Sequence, residues 1–427
     1  GGFEGPICGN TRINLDNGRI FNSFAGSCNA DILGHTETYI GVDGFPWIRD
    51  HVYGGNDLGG KILGTADMKG KVREAIQTSV YNDECLKASA YMEYIQGRVD
   101  YIFGGCYGYY DYKKRHFKDY TNDDGSAKDG FIKPRMESAF VNFKPVNNTR
   151  NAVTKIYGAG QGYSGETDRD VMQDRSYVLI DIPQTMTQFR DMEVFGAGDY
   201  SGVGMRVGSE ITPELSKDIT EANDNGVTAA AVIDLIRGQV KDVFGASYKE
   251  GVTRRTIVNV PQGSTIKVNN IFGGSYGVKN DKPCDVYEAT VNFHSEDAIV
   301  KNIYGGNNAY RRTLYGRVNI DVPVWQTEKG GYLASVYGAG LGQYTWSQYT
   351  EVNLEKGANV YYVFGGGDAG RVLNKETVNK LAKDSTYVMS LGPVYTDEGL
   401  ENALVTQNPL GTKTNTNVYI NKDATVS

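Results

Sequence analysis

A short motif that recurs along the whole chain constrains the fold more than any other feature of this sequence. It reads Val or Ile, then Phe or Tyr, then Gly, then Gly or Ala, and we call it the aromatic motif. Nine copies place the aromatic residue at Tyr53, Phe103, Tyr157, Phe195, Phe244, Phe272, Tyr304, Tyr337 and Phe364, and a degenerate copy lies at Phe24. From Phe244 onward, successive aromatic residues are 27 to 33 positions apart. A period in this range is typical of stacked structural repeats.

A second motif precedes most copies of the first and alternates apolar, polar and apolar residues. Its copies are Ile13-Asn14-Leu15, Val141-Asn142-Phe143, Ile180-Asp181-Ile182, Ile233-Asp234-Leu235, Val258-Asn259-Val260, Val291-Asn292-Phe293, Val318-Asn319-Ile320 and Val352-Asn353-Leu354, with Ile40-Gly41-Val42 and Met92-Glu93-Tyr94 as looser versions. Alternation with period two indicates a β-strand with one buried face. Turn sequences such as Pro261-Gln262-Gly263 separate the two motifs. Each unit therefore contains about three short strands with no helix between them.

These units predict an all-β fold, a single-stranded right-handed parallel β-helix (β-solenoid) of about ten coils with loop insertions. Propeller blades need about 40–50 residues each, more than the shortest units here provide. A β-sandwich gives no reason for one motif to return in register. The parallel sense and the right hand follow from the general chirality of crossover connections.

The repeat spans almost the whole chain, so we expect residues 1–427 to form a single β-solenoid domain. The longer intervals between motifs predict insertions near 57–90, 107–135, 199–228 and 370–413. Residues 417–426 begin another unit without its aromatic motif. We therefore expect this chain to belong to a longer array.

Composition narrows the classes of function. The formal net charge is −7 and the pI is near 5.3, which argues against a surface for nucleic acid or an anionic membrane. No apolar run reaches the length of a transmembrane segment, about 18 residues. With 54 glycines, 30 tyrosines and only 11 prolines, the chain suits an extracellular β-solenoid better than a disordered or collagen-like protein.

Five cysteines are present, at Cys8, Cys28, Cys85, Cys106 and Cys284, and no two of them form a CxxC pair. Cys8 and Cys28 occupy corresponding points of adjacent units and could form a disulfide. The odd total argues against a complete disulfide framework.

The aromatic residues of the motif would form one ladder if the units stack in register. If the rings point outward, they form a strip on which sugar rings can stack. If they are buried, they support the fold by packing. We favour the structural ladder, because Phe and Tyr exchange freely and an outward strip of this size is unusual on a soluble surface. For the Asn and Asp residues of the second motif we likewise favour a ladder of hydrogen-bonded side chains.

Seven tyrosines in the loops after the aromatic motif are the candidate binding residues. They are Tyr107, Tyr163, Tyr200, Tyr248, Tyr276, Tyr310 and Tyr344. Their distance from the preceding aromatic residue varies, which fits a core role poorly, and loops at one edge of a solenoid are where binding concentrates. Tyrosine offers an apolar face and a hydroxyl at small entropic cost. The alternative is that these side chains simply cover the edge.

No catalytic residue, metal ligand or cofactor site is predicted. The four histidines share no motif. The densest charged loop contains Glu166, Asp168, Arg169, Asp170, Asp174 and Arg175, and carboxylates this close in a loop are usually solvated. Residues 122–125 and 129–130 lack the spacing and the terminal Glu of a calcium loop.

Both motifs together resemble the repeat-rich parallel β-helix proteins secreted or displayed by Bacteroidetes, in which a Val-Tyr-Gly-Gly-Gly signature alternates with Thr-x-Val-x-Ile strands. The resemblance covers roughly residues 10–427. It implies an extracellular or cell-surface, outer-membrane-associated location and an adhesin-like role, and it implies no chemistry. We therefore expect a non-enzymatic protein that binds a glycan or an extracellular matrix or host surface protein. The alternative is a polysaccharide lyase or glycoside hydrolase of the β-helix type.

Overall fold

The described part of the chain is built of β-strands. The computed structural model describes residues 5–65, 88–108, 134–162, 172–204, 231–278, 284–372 and 416–427. Most of each of the four predicted insertions therefore lies outside the described residues. Within the described ranges the regular secondary structure is all β, and no helix there is long and apolar enough to cross a membrane.

In chain order the strands are β1 (Thr11–Leu15), β2 (Arg19–Ile20), β3 (Ser23–Phe24), β4 (Thr36–Ile40), β5 (Trp47–Tyr53), β6 (Lys61–Ile62), β7 (Ala90–Tyr94), β8 (Arg98–Phe103), β9 (Arg135–Phe143), β10 (Ala152–Tyr157), β11 (Met172–Asp181), β12 (Glu193–Phe195), β13 (Ala231–Gln239), β14 (Asp242–Phe244), β15 (Tyr248–Lys249), β16 (Thr253–Val260), β17 (Thr265–Phe272), β18 (Tyr276–Gly277), β19 (Val286–Phe293), β20 (Ile299–Tyr304), β21 (Asn308–Ile320), β22 (Ser335–Tyr337), β23 (Leu341–Leu354), β24 (Asn359–Val360), β25 (Tyr362–Phe364), β26 (Arg371–Val372), β27 (Thr416–Ile420) and β28 (Thr425–Val426). Twenty-six of them belong to one sheet, and β24 pairs with β28.

Strands that carry the second motif lie side by side, each parallel to the next. They are β1, β4, β7, β9, β11, β13, β16, β19, β21, β23 and β27, which we call the first stack. The register places equivalent residues together, so that Val258 pairs with Val291 and Val291 with Val318. Each position of the motif thus continues as a row across the sheet.

Strands that carry the aromatic motif form a second parallel stack. It runs through β5, β8, β10, β12, β14, β17, β20, β22 and β25, and the short strands β2 and β3 pair with β5 at its beginning. Val194 pairs with Val243, and Phe195 with Phe244. Paired strands in this stack are one repeat unit apart in sequence, so each repeat unit adds one strand to the stack.

One continuous apolar core joins the two stacks. It contains the Val or Ile of the aromatic motif, such as Ile156 and Val243, together with the apolar residues of the second motif, such as Val258 and Val291. These four side chains are fully buried. Burying a Val or Ile side chain contributes about 1.5–3 kcal/mol, so the repeated apolar positions supply the main driving force for folding.

The first glycine of the aromatic motif is required by a close backbone approach. A Cβ added to Gly104 would lie 2.6 Å from the carbonyl oxygen of Gly158, the equivalent residue of the next unit. The same relationship recurs between Gly273 and Gly305, at 2.8 Å. These distances leave no room for a methyl group, which explains why all nine full copies of the motif have Gly at this position; only the degenerate copy at Phe24 has Ala, at Ala25.

Amide side chains of the first stack form a hydrogen-bonded row, which we call the amide row. Nδ2 of Asn353, Asn319 and Asn292 each donates to Oδ1 of the preceding Asn at 2.8 Å, and Asn259 donates to Oδ1 of Asp234 at the same distance. The second oxygen of the buried Asp234 accepts from the Tyr177 hydroxyl at 2.6 Å. The predicted side-chain ladder is therefore present between Asp234 and Asn353.

Two copies of the second motif lie at other residues than the sequence pattern predicts. In β11 it is Leu179, not Asp181, that pairs with Asn142 and Asp234. In β4 it is Tyr39, not Gly41, that pairs with Asn14. Apolar residues continue on both sides of these copies, and alternation with period two reads equally well after a shift of two residues.

The pairing of Cys8 with Cys28 that the sequence allows is not formed, since both residues are free thiols. Cys106 and Cys284 are buried free thiols. Cys85 lies outside the described residues.

Candidate functional site

The ten rings of the aromatic motif stack in one continuous ladder on the second stack. Consecutive ring centroids are 4.5 to 5.1 Å apart and their planes lie within 15°. From Tyr53 to Tyr304 the residues of the ladder are at most 3% exposed, whereas Phe364 at the last position is 44% exposed. Each ring face is covered by the next ring, so the interior of the ladder offers no face on which a sugar could stack.

Three of the seven candidate tyrosines lie in one row against the ladder. Isolated bridges and strand pairs connect Tyr107, Gln161, Asp199, Tyr248 and Tyr276 in that order, and we call these five residues the tyrosine row. The rings of Tyr107, Tyr248 and Tyr276 are partly exposed. The Tyr248 centroid lies 5.4 Å from that of Tyr276, so these two rings form a contiguous aromatic surface.

The tyrosine row packs on the ladder. The centroid of Tyr107 lies 4.9 Å from that of Tyr53, and Tyr248 lies 5.2 Å from Phe195. The row is thus a second aromatic layer that is supported from below by a buried one. Its rings are held by packing on one side and face outward on the other.

The remaining candidate tyrosines are placed differently. Tyr200 lies beside the row, and its hydroxyl accepts a hydrogen bond from Lys249 Nζ at 2.8 Å. Tyr310 is buried, and its ring centroid is 6.4 Å from that of Tyr344 on the neighbouring strand. Tyr163 lies outside the described residues. The structure therefore brings four of the seven together.

A constant offset distinguishes the members of the row from the other tyrosines. Every member lies four residues after a ladder aromatic: Tyr107 after Phe103, Gln161 after Tyr157, Asp199 after Phe195, Tyr248 after Phe244 and Tyr276 after Phe272. A pattern of tyrosines alone, at offsets from four to seven, does not include Gln161 and Asp199, whereas an offset fixed at four identifies both.

A lysine lies on the Tyr248 ring. Lys155 Nζ is 3.6 Å from the ring centroid and 3.2 Å from Oε2 of Glu193. Lys241 Nζ contacts the other oxygen of Glu193 at 2.7 Å. Burial alone would raise the pKa of Glu193, but the hydrogen bond from Lys241 and the two lysine charges outweigh it and hold this pKa below its usual range. The carboxylate thus fixes Lys155, which in turn holds Tyr248 by a cation–π contact.

Asp199 is a buried carboxyl group in the middle of the row. Its residue is 4% exposed, and burial raises its pKa to about 6, although Lys249 and a hydrogen bond from Gln161 oppose the shift. Gln161 Nε2 donates to Oδ2 of Asp199 at 3.2 Å, and the Tyr53 hydroxyl donates to Gln161 Oε1 at 2.5 Å. A hydrogen-bonded chain therefore connects the ladder, through Gln161, to Asp199.

Most of the charged loop that the sequence singles out falls outside the described residues. Glu166, Asp168, Arg169 and Asp170 lie outside the described residues. Asp174 and Arg175 are part of β11, and Arg175 forms an ion pair with Glu137, 3.9 Å between Nη2 and Oε1. Across the part of the chain that the structure describes, no group of three or more His, Cys, Asp or Glu residues is arranged to hold a metal ion.

Comparison with protein-family models, with curated proteins and with solved structures finds no match to this chain.

Proposed function

We propose that the two stacks are the faces of a single-stranded right-handed parallel β-helix, one repeat unit per coil, extending over residues 1–427 as a single domain. Two observations support this proposal. All pairings between the named strands are parallel and join equivalent residues of successive units. The ladder spacing of 4.5 to 5.1 Å also agrees with the separation of neighbouring strands, about 4.8 Å.

As its function we propose the non-enzymatic binding of a glycan, with an extracellular matrix or host surface protein as the other ligand class. We also propose that the protein is adhesin-like, secreted or displayed at the cell surface, and associated with the outer membrane. The tyrosine row carries this proposal. Tyr248 and Tyr276 present adjacent, partly exposed rings that are held in place by the ladder beneath them and by Lys155. A pyranose ring can lay its apolar face on such rings while hydroxyl and amide groups bond its own hydroxyls.

The test is a glycan-array screen of the full chain, followed by binding measurements on the hits. Tyr248→Ala and Tyr276→Ala should each weaken binding about ten-fold, because stacking contributes about 1–1.5 kcal/mol. Tyr332→Ala is the matched control, since Tyr332 is 77% exposed and lies outside the row. Binding that survives both row substitutions unchanged would remove the tyrosine row from the function.

A polysaccharide lyase or glycoside hydrolase remains the second candidate. The observation that favours it is the raised pKa of Asp199, about 6, because carboxyl groups with raised pKa values concentrate at catalytic sites. Its 4% exposure weighs against direct contact with a substrate. Incubating each array hit with the protein and assaying new reducing ends and unsaturated products decides between the two candidates. Product release would overturn the non-enzymatic proposal.

A further inference from the structure

An open cleft of about 580 Å³ lies at the first units of the repeat, away from the tyrosine row. Its lining consists of Gly18, Arg19, Phe45, Trp47, Arg98, Thr149 and Arg150. We call it the arginine cleft. In the second stack, Arg19 of β2 pairs with Trp47 of β5, and Trp47 pairs with Arg98 of β8. Two arginines therefore flank one tryptophan on adjacent strands.

The aromatic side chains hold the guanidinium groups in place. The guanidinium carbon of Arg19 lies 4.1 Å from the Trp47 ring centroid, and that of Arg98 lies 5.7 Å from it. The guanidinium carbon of Arg150 lies 4.3 Å from the centroid of Phe45. Cation–π contacts order the arginines without neutralising them, and they leave the N–H donors at the guanidinium edges.

The charge of the cleft is not balanced by the protein. None of the lining residues is acidic, and none of the three arginines forms an ion pair within the described ranges. Several arginines outside the cleft do have carboxylate partners, as Arg312 does with Asp285 at 2.8 Å. Three arginines that are held by aromatic contacts and form no ion pair with a described residue, in a protein of net charge −7, make a local site for an anion.

Backbone contacts fix the segments that carry two of these arginines. Gly97, which precedes Arg98, has a φ of 133°, and its N–H donates to Oδ1 of Asn151 at 2.9 Å. Asn151, which follows Arg150, donates from Nδ2 to the Val146 carbonyl at 3.0 Å. The two arginine-bearing segments are thus linked through one buried asparagine. A site held in this way loses little conformational entropy when a ligand binds.

We propose that the arginine cleft binds an acidic saccharide through its carboxylate or sulfate groups. Guanidinium groups bind oxyanions through paired N–H donors. Trp47 is 38% exposed, and its free surface can contact the apolar C–H face of a sugar. The cleft is open, so it can accept one or two residues of a longer chain. This inference does not depend on the tyrosine row, and either site can fail its test alone.

The test uses titration calorimetry on the full chain with oligogalacturonate and with a sulfated oligosaccharide, and with fully methyl-esterified oligogalacturonate as the uncharged counterpart. We expect the acidic ligands to bind and the ester to bind at least ten-fold more weakly. Arg19→Gln and Arg98→Gln should each weaken binding about ten-fold, and Arg98→Lys should recover part of the loss because it restores only the charge.

Arg49→Gln is the matched control. Arg49 lies on the same strand as Trp47 and its guanidinium carbon is 5.1 Å from the Phe21 centroid, but it does not line the cleft. Its substitution changes the net charge equally and should weaken binding less than two-fold. An effect as large as that of Arg98→Gln would mean general electrostatic attraction and would overturn the proposal.

Two further outcomes would also overturn it. If inorganic sulfate or phosphate competes as strongly as the oligosaccharide, the cleft recognises an anion and no sugar. If polyglutamate of similar length binds equally well, the ligand is any acidic chain. Tyr248→Ala should leave binding of the acidic saccharide unchanged, which separates this site from the tyrosine row.

Discussion

The carbonyl oxygen of Gly158 lies so close to Gly104 that a Cβ on Gly104 would be 2.6 Å from it. Val141 crowds the same point, since its Cγ2 would be 2.9 Å from that Cβ. Backbone on one side and a buried side chain on the other leave no direction in which the added atom could be accommodated. The first glycine of the aromatic motif is thus a packing requirement.

Gly104→Ala should destabilise the protein by about 1–3 kcal/mol, the usual effect of inserting a methyl group into a closely packed site. Gly366→Ala is the matched control, because a Cβ there would meet no atom within 4 Å. Urea unfolding followed by circular dichroism compares the two. Equal midpoints for the two variants would contradict the packing explanation.

Phe244→Ala should be among the most destabilising single substitutions in the described chain. Phe244 stacks between Phe195 and Phe272 at centroid distances of 4.9 and 5.0 Å and is 1% exposed. Removal of a buried phenyl ring costs about 3–5 kcal/mol. Phe364→Ala serves as the control, since Phe364 stacks on one ring only and is largely exposed. It should lower the unfolding free energy by less than half as much.

Asn292→Ala tests the amide row. The substitution leaves Oδ1 of Asn259 without its donor and Nδ2 of Asn319 without its acceptor. Groups left unpaired in this way cost about 1–3 kcal/mol. Asn14→Ala is the control, because Asn14 occupies the same row of the first stack but bonds only the exposed side chain of Arg12 among the described contacts. Similar losses of unfolding free energy in both variants would show that the row contributes nothing as a unit.

Asp199 should make stability depend on pH. Its pKa is about 6 in the folded protein against an ordinary value of 3.8, so the folded state binds the proton more tightly. The stabilisation that follows is complete below about pH 4 and is lost as the pH rises through about 6. Asp199→Asn removes this pH-dependent contribution to stability. The free energy of unfolding of the variant, relative to that of the parent protein, should therefore increase by about 2 kcal/mol between pH 4 and pH 7.5.

Denaturant unfolding at both pH values measures this gain. Asp191→Asn is the control for the removal of one carboxyl group at the surface, because the Asp191 side chain is 85% exposed. A difference for Asp199→Asn that does not change with pH would contradict the assignment of the buried carboxyl group.

The strand pairing of the second stack could be predicted from the sequence because the aromatic motif has no internal symmetry. Gly residues at fixed positions allow only one alignment of Phe195 with Phe244. The second motif lacks such a marker. Around Leu179 the apolar residues Val178, Ile180 and Ile182 permit two alignments, and the hydrophobic pattern alone cannot select one.

The two candidate sites were harder to predict from the sequence, for different reasons. The tyrosine row follows a fixed offset from the ladder, but Gln161 and Asp199 replace tyrosine at two positions and hide the pattern. The arginine cleft has no repeated pattern, because it draws Arg19, Trp47 and Arg98 from three units. A register shift between Ile48 and His51 also places Trp47 one residue further from its aromatic motif than Arg98 is from its own. Only pairing in three dimensions brings these residues together.

The amide row has one direction, since every amide from Asn353 to Asn259 donates toward Asp234. Asn259, Asn292 and Asn319 are each at once the donor to one neighbour and the acceptor from the other. A duplicated unit inserted between Asp234 and Asn353 would bring its own donor and its own acceptor. Gene duplication can therefore lengthen this part of the array without creating a single unmatched amide.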